Sequence, residues 1–222
     1  MVRDDLVEAH RLAWEHIAAP GSWWTGEQRV ELARTVLLAI ADVEPLPPWV
    51  GVAASGRLPD ERVAADVAHD IAYRLGRHAG TMTEDVYRAA ADQIGELPYV
   101  EICAIASSVA AVAHFSRNIG TEVPPLPAPV PGEPTALRPD DVVQPELNWV
   151  PVAAPADQTA AVVQAYSAVP GELANTWRMA GAQYMPSEEM VHPDWSRRAG
   201  GLSRPQMELV AARVAQLREC FY

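Results

Sequence analysis

The chain has 222 residues, 49% of them hydrophobic, which is enough for one large domain or two small lobes with real cores and is too apolar for a disordered chain. A net charge of -12 argues against nucleic-acid binding, which needs clustered Lys and Arg. It also argues against attraction to an anionic membrane surface, and it fits a soluble protein.

The apolar content is mainly Ala, Val and Leu with only two Phe, a mix that favours close-packed helices over sheets. The opening MVRDDLVEAH contains no apolar leader. The longest apolar run, within residues 102–113, is about a dozen residues, where a bilayer span needs roughly 20. The two cysteines, Cys103 and Cys220, lie far apart and make no disulfide framework, so a reducing cytoplasm is the expected location.

In chain order, Leu6, Ala9, Ala13, Trp14 and Ile17 form the apolar stripe of a helix over about 4–17, ended by Pro20 and Gly21. The string TGEQ starts a second helix, with Thr25 and Gln28 in a capping-box arrangement, and EPLPP stops it. A third helix is expected from a cap at Asp60, with Val63, Val67, Ile71 and Leu75 on one face and a break at Gly80. Thr83 caps a short helix through about Ile94. Residues 98–118 are the most apolar stretch, with Pro98 in a first turn where proline is tolerated, and predict a central buried helix closed by Gly120.

From Val123 to Pro155 the character changes: ten of the twenty prolines fall here, and no helix survives that density. An extended strap over a surface is expected, docked through Leu147, Trp149 and Val152. Helices resume at Asp157 with Val162, Val163, Tyr166 and Val169, stop at Pro170–Gly171, and continue through Leu173, Trp177 and Met179. A last helix opens at Ser203 in SRPQ, another capping box. The expected organisation is all-α: an N-terminal helical lobe (1–122), a Pro-rich connector (123–156) and a C-terminal helical lobe (157–222).

Three segments share a weak internal pattern: QRVELARTVLLAI, PYVEICAIASSVAAV and PQMELVAARVAQL. Each carries a Glu at the same place, namely Glu31, Glu101 and Glu208. Either a duplication or the preference of acidic residues for the first turns of helices accounts for this.

The last of these, extended to PQMELVAARVAQLRECFY, resembles the redox helix of the carboxymuconolactone decarboxylase superfamily, in its alkylhydroperoxidase D-like branch. There a Glu is followed twelve positions later by a Cys, then after two residues by a second Cys, then by a His four positions on. Glu208 and Cys220 keep the twelve-residue separation, and Tyr222 falls where the branch often has an aromatic residue or His. Continuing the pattern puts the second redox position at 223 and the His at 227. With less specificity, AWEHIAAPGSWWTGEQRVELA, the Pro-rich middle and HPDWSRRAGGLSRPQMELV are similar to an alkylhydroperoxidase-related subgroup, some of whose members are selenoproteins.

The resemblance implies reduction of an organic hydroperoxide through a dithiol or selenenylsulfide cycle. Glu208 and Cys220 would be the catalytic residues, Tyr222 a supporting one, and a dithiol the reductant. It implies no cofactor beyond a possible selenocysteine after Tyr222, whose UGA codon read as a stop would leave this form without normal turnover. Apolar surface around Val214 and Leu217 is then expected to be uncovered, which association into a homo-oligomer would hide.

Helix geometry constrains that chemistry. Twelve residues of straight helix span about 18 Å and rotate the side chain by roughly 120°, so either the helix breaks near Arg218 or a group on another helix bridges Glu208 and Cys220. A break would place Cys220 at a helix start and lower its pKa, while the adjacent Glu219 would raise it.

Plainer readings stand beside these. Cys220 is otherwise a terminal thiol, Glu208 a helix-start residue, Cys103 a small core residue, His114 a helix-end or core histidine, and His192 a turn residue. Trp23 and Trp24 pack the first two helices together. The six histidines show no metal spacing, and no phosphate loop or G-x-S-x-G string is present. The rival functions are a non-catalytic helical scaffold or interaction protein, and non-redox superfamily chemistry such as lactone decarboxylation.

Overall fold

A computed structural model describes residues 2–42, 60–145, 148–153, 161–190, 192–196, 198–199 and 201–217. The fold is all-α. The first helix, α1 (Asp4–Ala18), turns through Trp23 and Trp24 into α2 (Gly26–Ala41). Thr25 accepts from the Gln28 N–H while the Gln28 side chain accepts from the Thr25 N–H, so the capping box is complete. Next come α3 (Asp66–His78), a 3-10 turn (Ala79–Thr81), α4 (Glu84–Ile94) and α5 (Glu96–Asn118). Thr83 caps α4 by accepting from Val86 N–H.

α3 begins six residues later than the expected cap at Asp60. The Glu31 carboxylate of α2 takes the Val63 and Ala64 N–H groups at 3.0 and 2.9 Å. That holds the segment in a turn, and Val63 is left exposed. A long-range acceptor therefore overrides local helix patterning there.

α5 is the axis of the core. Ile102, Ile105, Val109 and Val112 are fully buried against Ile17 of α1, Leu32, Ala33 and Val36 of α2, and Ile71 and Ala72 of α3. By length and composition α5 is apolar enough to cross a membrane, but 67% of its apolar window is buried inside the protein. It also carries buried Glu101, Ser108 and Ser116, as suits the core helix of a folded body.

Residues 121–139 form neither helix nor strand and lie along that body, with a left-handed residue at Ala136. Their backbone is held by hydrogen bonds from Val130 N–H to Ala18 O (2.8 Å), Thr135 N–H to Gly21 O (3.1 Å) and Ala136 N–H to Ser22 O (2.7 Å). The first satisfies a carbonyl that the end of α1 leaves open. The Trp14 indole N–H adds a bond to Pro124 O, and Val143 pairs with Val152 in an isolated antiparallel bridge. Of the three expected docking residues, Val152 is buried and Trp149 is 40% exposed; Leu147 lies outside the described residues.

After a single helical turn, α6 (Ala161–Gln164), the chain enters α7 (Pro170–Gln183). Pro170, expected to end a helix, instead begins one at its first turn. α7 packs on α1 and α5, and its Met179 joins the core cluster of the preceding helices. A short α8 (Ser187–Met190), a two-stranded hairpin (β1, Arg198–Ala199; β2, Leu202–Ser203) and α9 (Arg204–Leu217) complete the described chain. Asp157, expected to start a helix, lies outside the described residues.

A tight helix approach is made by Gly76 of α3 on α2, where an added Cβ would sit 2.8 Å from Val36 O and 3.1 Å from the Ala39 Cβ. Gly76→Ala is expected to push these helices apart and destabilise the protein by about 1–3 kcal/mol. Urea unfolding checks this, and an unchanged midpoint would contradict the packing described.

Candidate functional site

The three glutamates of the repeated pattern end in three different settings. Glu31 caps the turn before α3 and lies 3.5 Å from His69 Nε2. Burial lowers the His69 pKa despite that carboxylate, and Thr35 Oγ1 lies 2.8 Å from its Nδ1. Glu31 is thus engaged by structural bonds.

Glu101 is fully buried and bonded to the Arg29 guanidinium. Arg29 also reaches Glu172 of α7 at 2.8 Å and the carbonyls of His16 and Ile17 at 3.2 and 3.4 Å. His16 Nε2 meets the same Glu172 oxygen at 2.8 Å, and Trp23 N–H donates to Glu101 at 2.8 Å. Gly21 is required beside this cluster, because an added Cβ would collide with Glu101 Oε1 and the Arg29 guanidinium.

Burial raises the Glu101 carboxyl above its ordinary range, with Glu172 adding to the effect and Arg29 opposing it. At Glu172 burial pulls the same way, but Arg29 and His16 outweigh it and hold that carboxyl low. The Arg29 cation thus faces two buried carboxylates.

Glu208 differs from both. It lies in the second turn of α9, its side chain is 41% exposed, and Arg204 Nε donates to it at 3.3 Å. Burial, and then the neighbouring Glu208 carboxylate, push the phenol of Tyr184, just after α7, up to about 12. The Arg204 guanidinium stacks over the Trp195 ring at 4.2 Å. A cavity of about 280 Å³ opens beside the pair, lined by Arg3, Tyr184, Met207 and Val210 among others.

α9 is continuous to Leu217 and buries no residue. Leu209, Val210, Val214 and Leu217 are each more than half exposed. Among the described residues this is the longest helix that buries none of its residues. Its opening is a partial capping box, in which Ser203 N–H donates to Gln206 at 2.9 Å. Cys220 and Tyr222, the other two expected site residues, lie outside the described residues, as does Arg218.

Cys103 lines a separate cavity of about 290 Å³ with Ser107, His114 and Tyr166. Burial pushes its thiol up to about 12, so it is a poor source of thiolate at neutral pH. His114, near the end of α5, is a wall of this cavity. His192 sits in a turn and accepts from Asp194 N–H. Trp24 is tied to Pro98 O of α5 through its indole N–H, so the tryptophan pair anchors the α1–α2 turn on α5.

Sequence reasoning missed Arg29, Glu172, His16 and Tyr184. A signal was present at the central ion pair: Arg29 lies in register with buried Ala33 and Val36, and its partner Glu101 with Leu97 and Ile105. A charge inside an apolar stripe marks a buried ion pair. Comparison of the chain with protein-family models, with curated proteins and with solved structures gives no match.

Removing Arg29 alone would strand two buried carboxylates. Arg29→Met is expected to cost about 3–5 kcal/mol. Glu101→Gln and Glu172→Gln should each cost less than that, because the other carboxylate still faces the cation. Denaturant unfolding of the three variants gives the order, and a stable Arg29→Met would refute it.

Proposed function

We propose that this chain is a thiol- or selenol-dependent peroxidase of the alkylhydroperoxidase type, working in a reducing cytoplasm, with Cys220 as the attacking thiol. The observation that favours this reading is the contrast among the three glutamates. Glu31 and Glu101 are occupied by buried or turn-holding bonds, whereas Glu208 is 41% exposed, shares only a long contact with Arg204, neighbours the Tyr184 phenol and stands twelve positions before Cys220. A part-exposed carboxylate can pass a proton between solvent and a reacting group.

In the proposed step the Cys220 thiolate attacks the distal oxygen of an organic hydroperoxide. The S–O bond forms, the O–O bond breaks, and the alkoxide leaves as an alcohol after taking a proton. Cys220 becomes a sulfenic acid, and a dithiol reduces it to the thiol with release of water, itself becoming a disulfide. α9 runs unbroken to Leu217, and twelve helical residues span about 18 Å. We assign Glu208 the part of a positioning residue that passes a proton through water.

The test exposes the chain to cumene hydroperoxide and follows sulfenic acid at Cys220 with a trapping reagent and mass spectrometry. Sulfenylation is expected in the parent chain and lost in Cys220→Ser. Glu208→Gln should slow it by about tenfold or more and remove the acid limb of its pH–rate profile. No sulfenic acid at Cys220 of the parent chain, or an unchanged profile in Glu208→Gln, would end the proposal.

The uncovered apolar positions of α9 favour a second reading, an interaction role in which copies of this chain associate through that helix. It predicts that Leu209→Asp and Val214→Asp change the molar mass in light scattering while Cys220→Ser changes nothing measurable.

A further inference from the structure

A larger cavity lies away from Glu208, between the exposed side of α1, the end of α5 and the start of the Pro-rich strap. Its volume is about 470 Å³, inside the range of small-molecule sites, roughly 300–1,000 Å³. Val7, Trp14, Phe115, Ile119 and Pro127 make its walls predominantly apolar. Val7 and Ile119 are 54% and 44% exposed, and no other element of the described chain covers them.

The polar groups around this cavity are neutralised. Arg11 is paired with Glu8 and Glu15 on its own helix. His10 stands edge-on to Phe115 with ring centroids 4.9 Å apart, its Nε2 lies 2.7 Å from the Gln183 side-chain nitrogen, and burial lowers its pKa. The remaining charge at the rim is the carboxylate of Glu122, which repels anions. The walls are also held in place: the Trp14 indole is tied to Pro124 O at 3.1 Å, and the prolines fix the backbone opposite. A preformed apolar cavity costs little ordering on binding.

We infer that this cavity binds an uncharged, largely aromatic or alkyl small molecule, held by burial against Trp14, Phe115 and Ile119. This inference is independent of any chemistry at Cys220.

The test uses two fluorescent probes of matched shape: N-phenyl-1-naphthylamine, which is neutral, and 8-anilinonaphthalene-1-sulfonate, which is anionic. The neutral probe should bind saturably with one site per chain and at least about tenfold more tightly than the anionic one. Ile119→Asp, at an exposed position, should weaken it by about tenfold or more, with Val7→Asp as a second variant if the first misfolds. Leu209→Asp and Val214→Asp on α9 should leave it unchanged.

Three results would overturn the assignment. One is equal affinity for the two probes. Another is probe binding that disappears with the α9 variants and survives both cavity variants. The third is a concentration-dependent dimer that excludes the probe and is abolished by Ile119→Asp, which would make a second copy of the chain the occupant.

Discussion

One buried guanidinium organises the described body. Arg29 on α2 binds Glu101 on α5 and Glu172 on α7, and its remaining N–H groups donate to the carbonyls of His16 and Ile17 at the end of α1. Four helices separated widely in sequence therefore meet at one cation. Paired charges this deep contribute little net stability relative to a well-packed apolar core, but breaking the set is costly because a charge is left buried alone. The constraint is one of arrangement: α7 seats only where Glu172 reaches Arg29 and where Asn175 donates to buried Ser108 at 3.1 Å.

With α7 seated, its C-terminal end becomes a junction. Ala182 O receives the Arg3 guanidinium at 2.6 Å, Gln183 lies against His10, and Tyr184 lines a cavity with Met207 and Val210 of α9. The end of α7 thus borders the small cavity beside α9 and, through the Gln183–His10 contact, the back of the Trp14–Phe115 cavity. The proposed chemistry and the proposed ligand pocket share a scaffold while using different side chains.

Much of the fold is legible in the sequence because it follows local rules. The α1, α2, α4 and α5 segments show themselves by apolar period and by caps whose hydrogen bonds the structure contains, as at Thr25 and Thr83. The departures have long-range causes. α3 starts late because Glu31, about thirty residues upstream, captures two backbone N–H groups; Pro170 reads as a stop because proline punctuates in both directions, and only packing decides which. The site is less legible. Glu31, Glu101 and Glu208 share a local pattern, and what separates them is the partner each finds in space: two peptide N–H groups, a buried arginine, and an arginine on its own helix. Only at Glu101 does the local sequence carry a sign of this, a charge inside an apolar stripe.

If Arg29 holds α7 in place, amide hydrogen exchange should show it most directly. In the parent chain the amides of α7 and of α5 should share a protection free energy close to that of global unfolding. In Arg29→Met the α7 amides should fall to values typical of local opening, while the α5 amides lose protection only in step with global stability. Retention of parent-like α7 protection in that variant would contradict the account.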